Sequence, residues 1–158
     1  MELFKADGQN FIFRVGKREK RLLEEVLQLY PMLSGSYGEI SSGPDDGKLG
    51  DAQKLLEQAL AEQHRANRQE LESLLREPTW LKEKAGMHQL TLSLSRMEWL
   101  LQILNNIRVG CWVALGAPQD TALHLKDLNE KTIRYFVSME GTAYFQSVLL
   151  KALQRAAL

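Results

Sequence analysis

The stretch WLLQILNNIRVGCWVALG, Trp99 to Gly116, reads almost as one apolar run, yet it carries Gln102, Asn105, Asn106 and Arg108. It approaches the length of a bilayer span, but a charge and two amides near its middle, with Glu98 just before it, argue against insertion. A helix apolar nearly all round is buried by neighbouring elements, so this stretch predicts the centre of a helical domain. Leu100, Leu101, Leu104, Ile107 and Cys111 supply the core stripe, with Trp99, Trp112 and Val113 on its flanks. Gln102 and Asn105 lie on one side with Glu98, while Asn106 is turned by about 100° toward Trp99 and Ile103. Ser95 followed by Glu98 predicts a capping box and a helix over 96–115, closed by Gly116, Ala117 and Pro118.

Two readings of the polar groups follow. An unmatched buried amide costs about 1–3 kcal/mol. In the first reading Asn105 or Asn106 therefore satisfies a loop backbone, and Arg108 pairs with a carboxylate, Glu140 or Asp51. In the second, Asn105 and Arg108, one turn apart, present an amide and a guanidinium fork to a peptide or carboxylate-bearing ligand, with Gln102 and Trp99 beside them.

Working outward, ELFKADGQNFIFRV predicts a β-hairpin over 1–15 turning at Asp7-Gly8. Phe11, Phe13 and Val15 alternate onto one face. A lone hairpin is marginal, so that face must pack on helices. A first helix is expected over 17–30, stopped by Pro31. Its basic start, KREKR, sits at the unfavourable end of the helix dipole and reads as exposed surface more readily than as a phosphate site. Residues 34–50 read as a flexible loop. Within it GPDDGK has too short a glycine spacing, no preceding strand, and Leu49 where a phosphate loop needs Ser or Thr. A second helix is expected over 51–76 with Asp51 as its cap. Leu55, Leu56, Ala59 and Leu60 open its buried face, and Leu71, Leu74 and Leu75 close it. Between them the polar interval AEQHRANRQE predicts a span that faces water or a partner. TWLKEKAG reads as a helical turn, and HQLTLSLS as a short strand or an extended lead into the central helix. After a linker at 121–127 a last helix is expected over 129–155, which Gly141 either divides or lets approach a neighbour closely. The fold class is therefore mainly α: one domain, 1–158, of four to five helices with an N-terminal hairpin.

Composition excludes several functions. Lys+Arg and Asp+Glu stand at 20 each, so no global field draws the chain to nucleic acid or to an anionic membrane. Residues 1–21 are nonetheless rich in basic side chains, and residues 22–80 in acidic ones. One cysteine, Cys111, excludes a disulfide within the chain and any zinc site of three or four cysteines; it reads as a small core hydrophobe. His64, His88 and His124 are scattered, so no metal ligand set is expected, and no cofactor fingerprint is present. MELFKADGQ lacks a signal-peptide pattern, which makes the cytoplasm the expected compartment.

The residues Trp99, Leu100, Leu104, Asn105 and Arg108, in the pattern W-L-x-x-x-L-N-x-x-R followed by LGAP, resemble the signature of a bacterial domain-of-unknown-function family. That family is found mainly in actinobacteria and is often encoded near the ClpS adaptor of the Clp protease. LFKADGQNFIFRV resembles its N-terminal segment, and Gln146, Leu149, Leu150, Ala152 and Leu153 match the second half of its C-terminal one. The loop at 34–50 departs from its pattern. The resemblance implies a helical, cytosolic bacterial protein linked to regulated proteolysis or its neighbours, and carries no activity and no functional residues.

With no convergent reactive set, the expectation is a non-catalytic interaction or regulatory module with a protein partner or a second copy of itself. The alternative is a small enzyme or small-molecule-binding protein with a polar site around Asn105 and Arg108.

Overall fold

The inward alternation of Phe11, Phe13 and Val15 holds in the computed structural model, which describes residues 1–33, 46–119 and 128–156. Strands β1 (Glu2–Ala6) and β2 (Asn10–Val15) pair antiparallel as the expected hairpin. Its turn is centred one residue later than expected. Gly8 takes φ 84°, Asp7 Oδ1 accepts from the Gln9 and Asn10 amides, and Gly8-Gln9 are the central pair. Asp7 thus organises the turn from its first position, as Asx residues do.

The hairpin is half of a larger sheet. The stretch read as a helical turn is strand β3 (Leu81–Lys84), and HQLTLS lies in strand β4 (Met87–Ser93), giving one four-stranded antiparallel sheet in the order β1-β2-β4-β3. Ala85 and Gly86, with φ 53° and 78°, make the two-residue turn between β3 and β4. Both central residues at positive φ is the type I′ arrangement, whose twist suits a hairpin.

Four helices complete the described residues: α1 (Lys17–Leu27), α2 (Asp46–Arg76), α3 (Leu94–Ala114) and α4 (Glu130–Ala156). The fold is therefore mainly helical, with a full sheet on one side. α1 ends three residues earlier than expected, with Tyr30 still buried beyond it. α2 begins at Asp46, so the loop expected over 34–50 is already helical from 46, and Asp51 caps nothing; residues 34–45 lie outside the described residues. α3 starts at Leu94, capped by Ser93, whose hydroxyl accepts from the Arg96 amide at 3.3 Å. The expected box at Ser95 and Glu98 does not form; Ser95 Oγ bonds Ser93 Oγ instead. α4 is one continuous helix opened by Asn129, whose Oδ1 accepts from the Lys131 and Thr132 amides. Gly141 divides nothing. A Cβ there would meet Leu22 Cδ2 at 3.3 Å, so the glycine leaves room for Leu22 of α1 to pack against α4.

The core forms where the inner sheet face meets α1, α3 and α4. Phe11, Phe13, Val15, Leu90 and Leu92 from the sheet join Leu23, Val26 and Leu27, then Met97, Leu100, Ile103, Leu104 and Ile107, then Phe145, Leu149 and Ala152. Gly110 of α3 lets the segment after α1 lie against the helix, since a Cβ there would sit 2.3 Å from Met32 Cβ. α2 joins this core only by its second half, through Leu71 and Leu74. Leu55 and Leu56, expected to open its buried face, are 67% and 60% exposed, and Ala59 is exposed as well.

Candidate functional site

The amide pair in α3 divides its labour. Asn106 Oδ1 accepts from the Met32 amide at 3.0 Å and the Leu33 amide at 3.4 Å, tying down the chain just after α1. Asn105 and Gln102 stand exposed on the outer side of the helix. Arg108 is exposed too, and its Nη1 donates to Gln146 Oε1 of α4 at 3.4 Å. Its described partner is thus an amide, where a carboxylate of Glu140 or Asp51 had been expected. Trp99 is half-buried, and its indole N–H donates to Asn67 Oδ1 of α2 at 3.1 Å. Gln102, Asn105 and Arg108 therefore share α3's outward side, while Trp99 faces α2.

That last bond leads into the polar interval of α2, which turns toward its own chain. Asn67 Nδ2 donates to the Tyr30 hydroxyl at 3.1 Å. Arg68 donates through Nη1 to the Tyr30 and Gln28 carbonyls and through Nε to Glu72. His64 meets the Tyr30 ring edge-on, with centroids 5.8 Å apart. The expected water- or partner-facing span is therefore, at His64, Asn67 and Arg68, the polar fastening of α2 to the end of α1. These carbonyls belong to the C-cap of α1 and the segment just after it, where intrahelical donors run out. Three residues of the KREKR cluster are similarly occupied: Glu19 accepts from the Gly16 amide at 2.8 Å, and Lys20 and Arg21 pair with Glu24 and Glu25 one turn on.

Two concavities stand out among the described residues. One is a trough of about 520 Å³ between α1 and α4, floored by Leu22, Val26, Ile133 and Val137, with Glu25 and Arg134 on its rim. Its charges are of opposite sign, so it selects no particular partner charge.

The other lies on the outer sheet face and crosses all four strands. Paired residues of an antiparallel sheet share a face. One row runs Glu2, Arg14, Gln89, Lys82 across β1, β2, β4 and β3; the next runs Lys5, Ile12, Thr91; a third pairs Met87 with Lys84. Phe4, displaced by the bulge between Leu3 and Lys5, lies under the Arg14 guanidinium, 3.9 Å from its ring centre, and is exposed, as is Met87. The result is a depression of about 360 Å³ walled by Glu2, Phe4, Arg14, Lys84, Met87 and Gln89. His88 contributes to the same wall from the inner side of β4; it is 8% exposed and its Nδ1 has no partner among the described residues. Lys5, Arg14, Lys82 and Lys84 set the sign of this face, with Glu2 the acid among them.

Reading TWLKEKAG as a helical turn hides this site. A signal lies on one side of Ala85-Gly86 only: Leu90 and Leu92 alternate with polar residues in β4, whereas Leu81–Lys84 has one apolar residue followed by three charged ones.

Among the described residues no group of His, Cys, Asp and Glu is arranged to hold a metal ion. No helix among the described residues is long and apolar enough to cross a membrane. His124 and the linker at 121–127 lie outside the described residues. Neither a protein family, nor a curated protein, nor a solved structure matches this chain.

Proposed function

We propose that this protein is a non-catalytic interaction module that docks an acidic segment of a partner protein on the open face of its sheet. One observation carries the reading: in a chain of zero net charge, the cross-strand rows gather Lys5, Arg14, Lys82 and Lys84 around exposed Phe4 and Met87. A locally basic face with apolar anchors attracts an acidic partner and then holds it by burying Phe4 and Met87. The Trp99–Arg108 resemblance supports a bacterial, cytosolic setting and a partner drawn from regulated proteolysis. A second reading rests on size, since about 360 Å³ also suits a small anionic molecule.

The test compares capture from host lysate by the wild type, by Arg14→Glu/Lys84→Glu, and by Gln102→Ala/Asn105→Ala/Arg108→Ala, each checked for folding by circular dichroism. The expected result is a stoichiometric protein held by the wild type and the α3 variant and lost by the sheet variant. Loss only in the α3 variant would move the site to the central helix. A small molecule released from the wild type on denaturation, with no protein captured, would establish the second reading.

A further inference from the structure

The first half of α2 carries a second surface, independent of the sheet. From Asp51 to Ala66 the residues on the side turned away from the body are all exposed: Ala52, Leu55, Ala59, Glu62 and Ala66, flanked by Leu56 and Gln63 on one edge and Asp51, Gln58 and Arg65 on the other. Of the positions that fasten α2 to the body, His64, Arg68 and Leu71 point the other way round the helix, while Asn67 and Leu74 lie on the edge that also holds Leu56. Spacings of three and four residues along Ala52, Leu55, Ala59, Glu62 and Ala66 are those of a seam between two helices. A helical stretch of this length is marginal in water when nothing packs on it, and here two neighbouring leucines are left uncovered.

We infer that a second copy of this chain covers the stripe, through an antiparallel, two-fold pairing of the α2 helices centred near Glu57 and Gln58. The sequence fits itself in this register. Leu55 faces the partner's Ala59, and Ala59 the partner's Leu55, so each large side chain meets a small one and the helices approach closely. Leu56 meets the partner's Leu56 on one flank. On the other flank Asp51 meets the partner's Arg65, and by symmetry Arg65 meets the partner's Asp51, with Gln58 beside the partner's Gln58 on the axis. Reversing one helix is what makes these charges complementary. In a parallel pairing in register Asp51 would lie beside the partner's Leu56 and have no opposite charge to meet. Glu62 falls opposite the partner's Ala52 and marks each end of the apolar patch. The interface is self-complementary, so it closes at a dimer. The open sheet face takes no part.

Sedimentation equilibrium of the wild type across a concentration series is expected to show a reversible monomer–dimer equilibrium. Leu55→Glu/Leu56→Glu is expected to be monomeric throughout with unchanged helicity. Asp51→Arg is expected to weaken the dimer about tenfold through two lost exposed pairs, and Asp51→Arg/Arg65→Asp to restore it. Gln58→Cys, on the axis, is expected to give a disulfide-linked dimer under mild oxidation, whereas the native Cys111 is buried. A wild type that stays monomeric at every concentration overturns the inference. So does a dimer that survives the leucine variant, or a charge swap that fails to restore what the single reversal removed. Arg14→Glu/Lys84→Glu should leave the equilibrium unmoved, which separates failure here from failure of the sheet-face reading.

Discussion

Asn105 and Asn106 are neighbours of the same type, and the helix gives them opposite duties. Asn106 closes two backbone amides that otherwise lie half-buried without a partner, so Asn106→Ala is expected to destabilise the protein by about 1–3 kcal/mol. Asn105→Ala removes an exposed amide and is expected to stay within about 0.5 kcal/mol. Urea unfolding of the two variants checks this, and equal losses would refute the division of roles. Cys111 gives a second residue-scale expectation. Burial pushes its thiol up from 9.0 to about 11, and its Sγ lies 3.4 Å from Met32 Sδ. Between those two values the unfolded chain has already lost the thiol proton while the folded chain keeps it, so stability falls as pH rises from 9 toward 11. The thiol should resist alkylation at pH 8 until the protein is denatured, and its replacement by Ala should flatten that alkaline loss. The presence of polar groups in the central helix is legible in the sequence. Which asparagine meets the loop is not, because that depends on where the segment after α1 returns to α3.

Elements were legible in proportion to how much their own residues dictate. The hairpin at 2–15 and the ends of α2 and α3 at Arg76 and Ala114 follow from local signals: alternation, Gly8, Pro78 and Gly116. β3 escaped notice because LKEK is short and charged and gains its strand character only by pairing with β4. The cap of α3 moved to Ser93 because β4 runs straight into the helix without a linker. The turn between β3 and β4 contains a mismatch that predicts an improvement. Ala85 takes φ 53°, a conformation costing an alanine about 1–2 kcal/mol that asparagine tolerates better. Ala85→Asn is therefore expected to raise stability by up to about 1 kcal/mol and to shift the urea midpoint upward at constant slope. A lowered midpoint would show that the turn is held by something other than its backbone.

At the scale of the whole molecule, one core joins the sheet to α1, α3 and α4, with Phe13 and Leu90 fully buried beside Leu104 and Phe145. Sheet and helices should therefore melt together, and calorimetry is expected to show one transition for this core with equal van't Hoff and calorimetric enthalpies. Two separated transitions would mean that the sheet folds as a unit of its own. The chain's composition and periodicity determined that it is mainly helical, that α3 lies at the centre, and that Cys111 and the apolar stripe of α3 are core. Those are properties of single segments, set by what each side chain does in water. Only the tertiary structure decided that four strands close into one sheet, that the polar interval of α2 grips Tyr30, and that Phe4, Arg14 and Lys84 meet on one face. Lys5, Arg14, Lys82 and Lys84 are dispersed over about eighty positions of a neutral sequence. They become a basic surface because strand register, which depends on pairing between distant segments, puts them side by side.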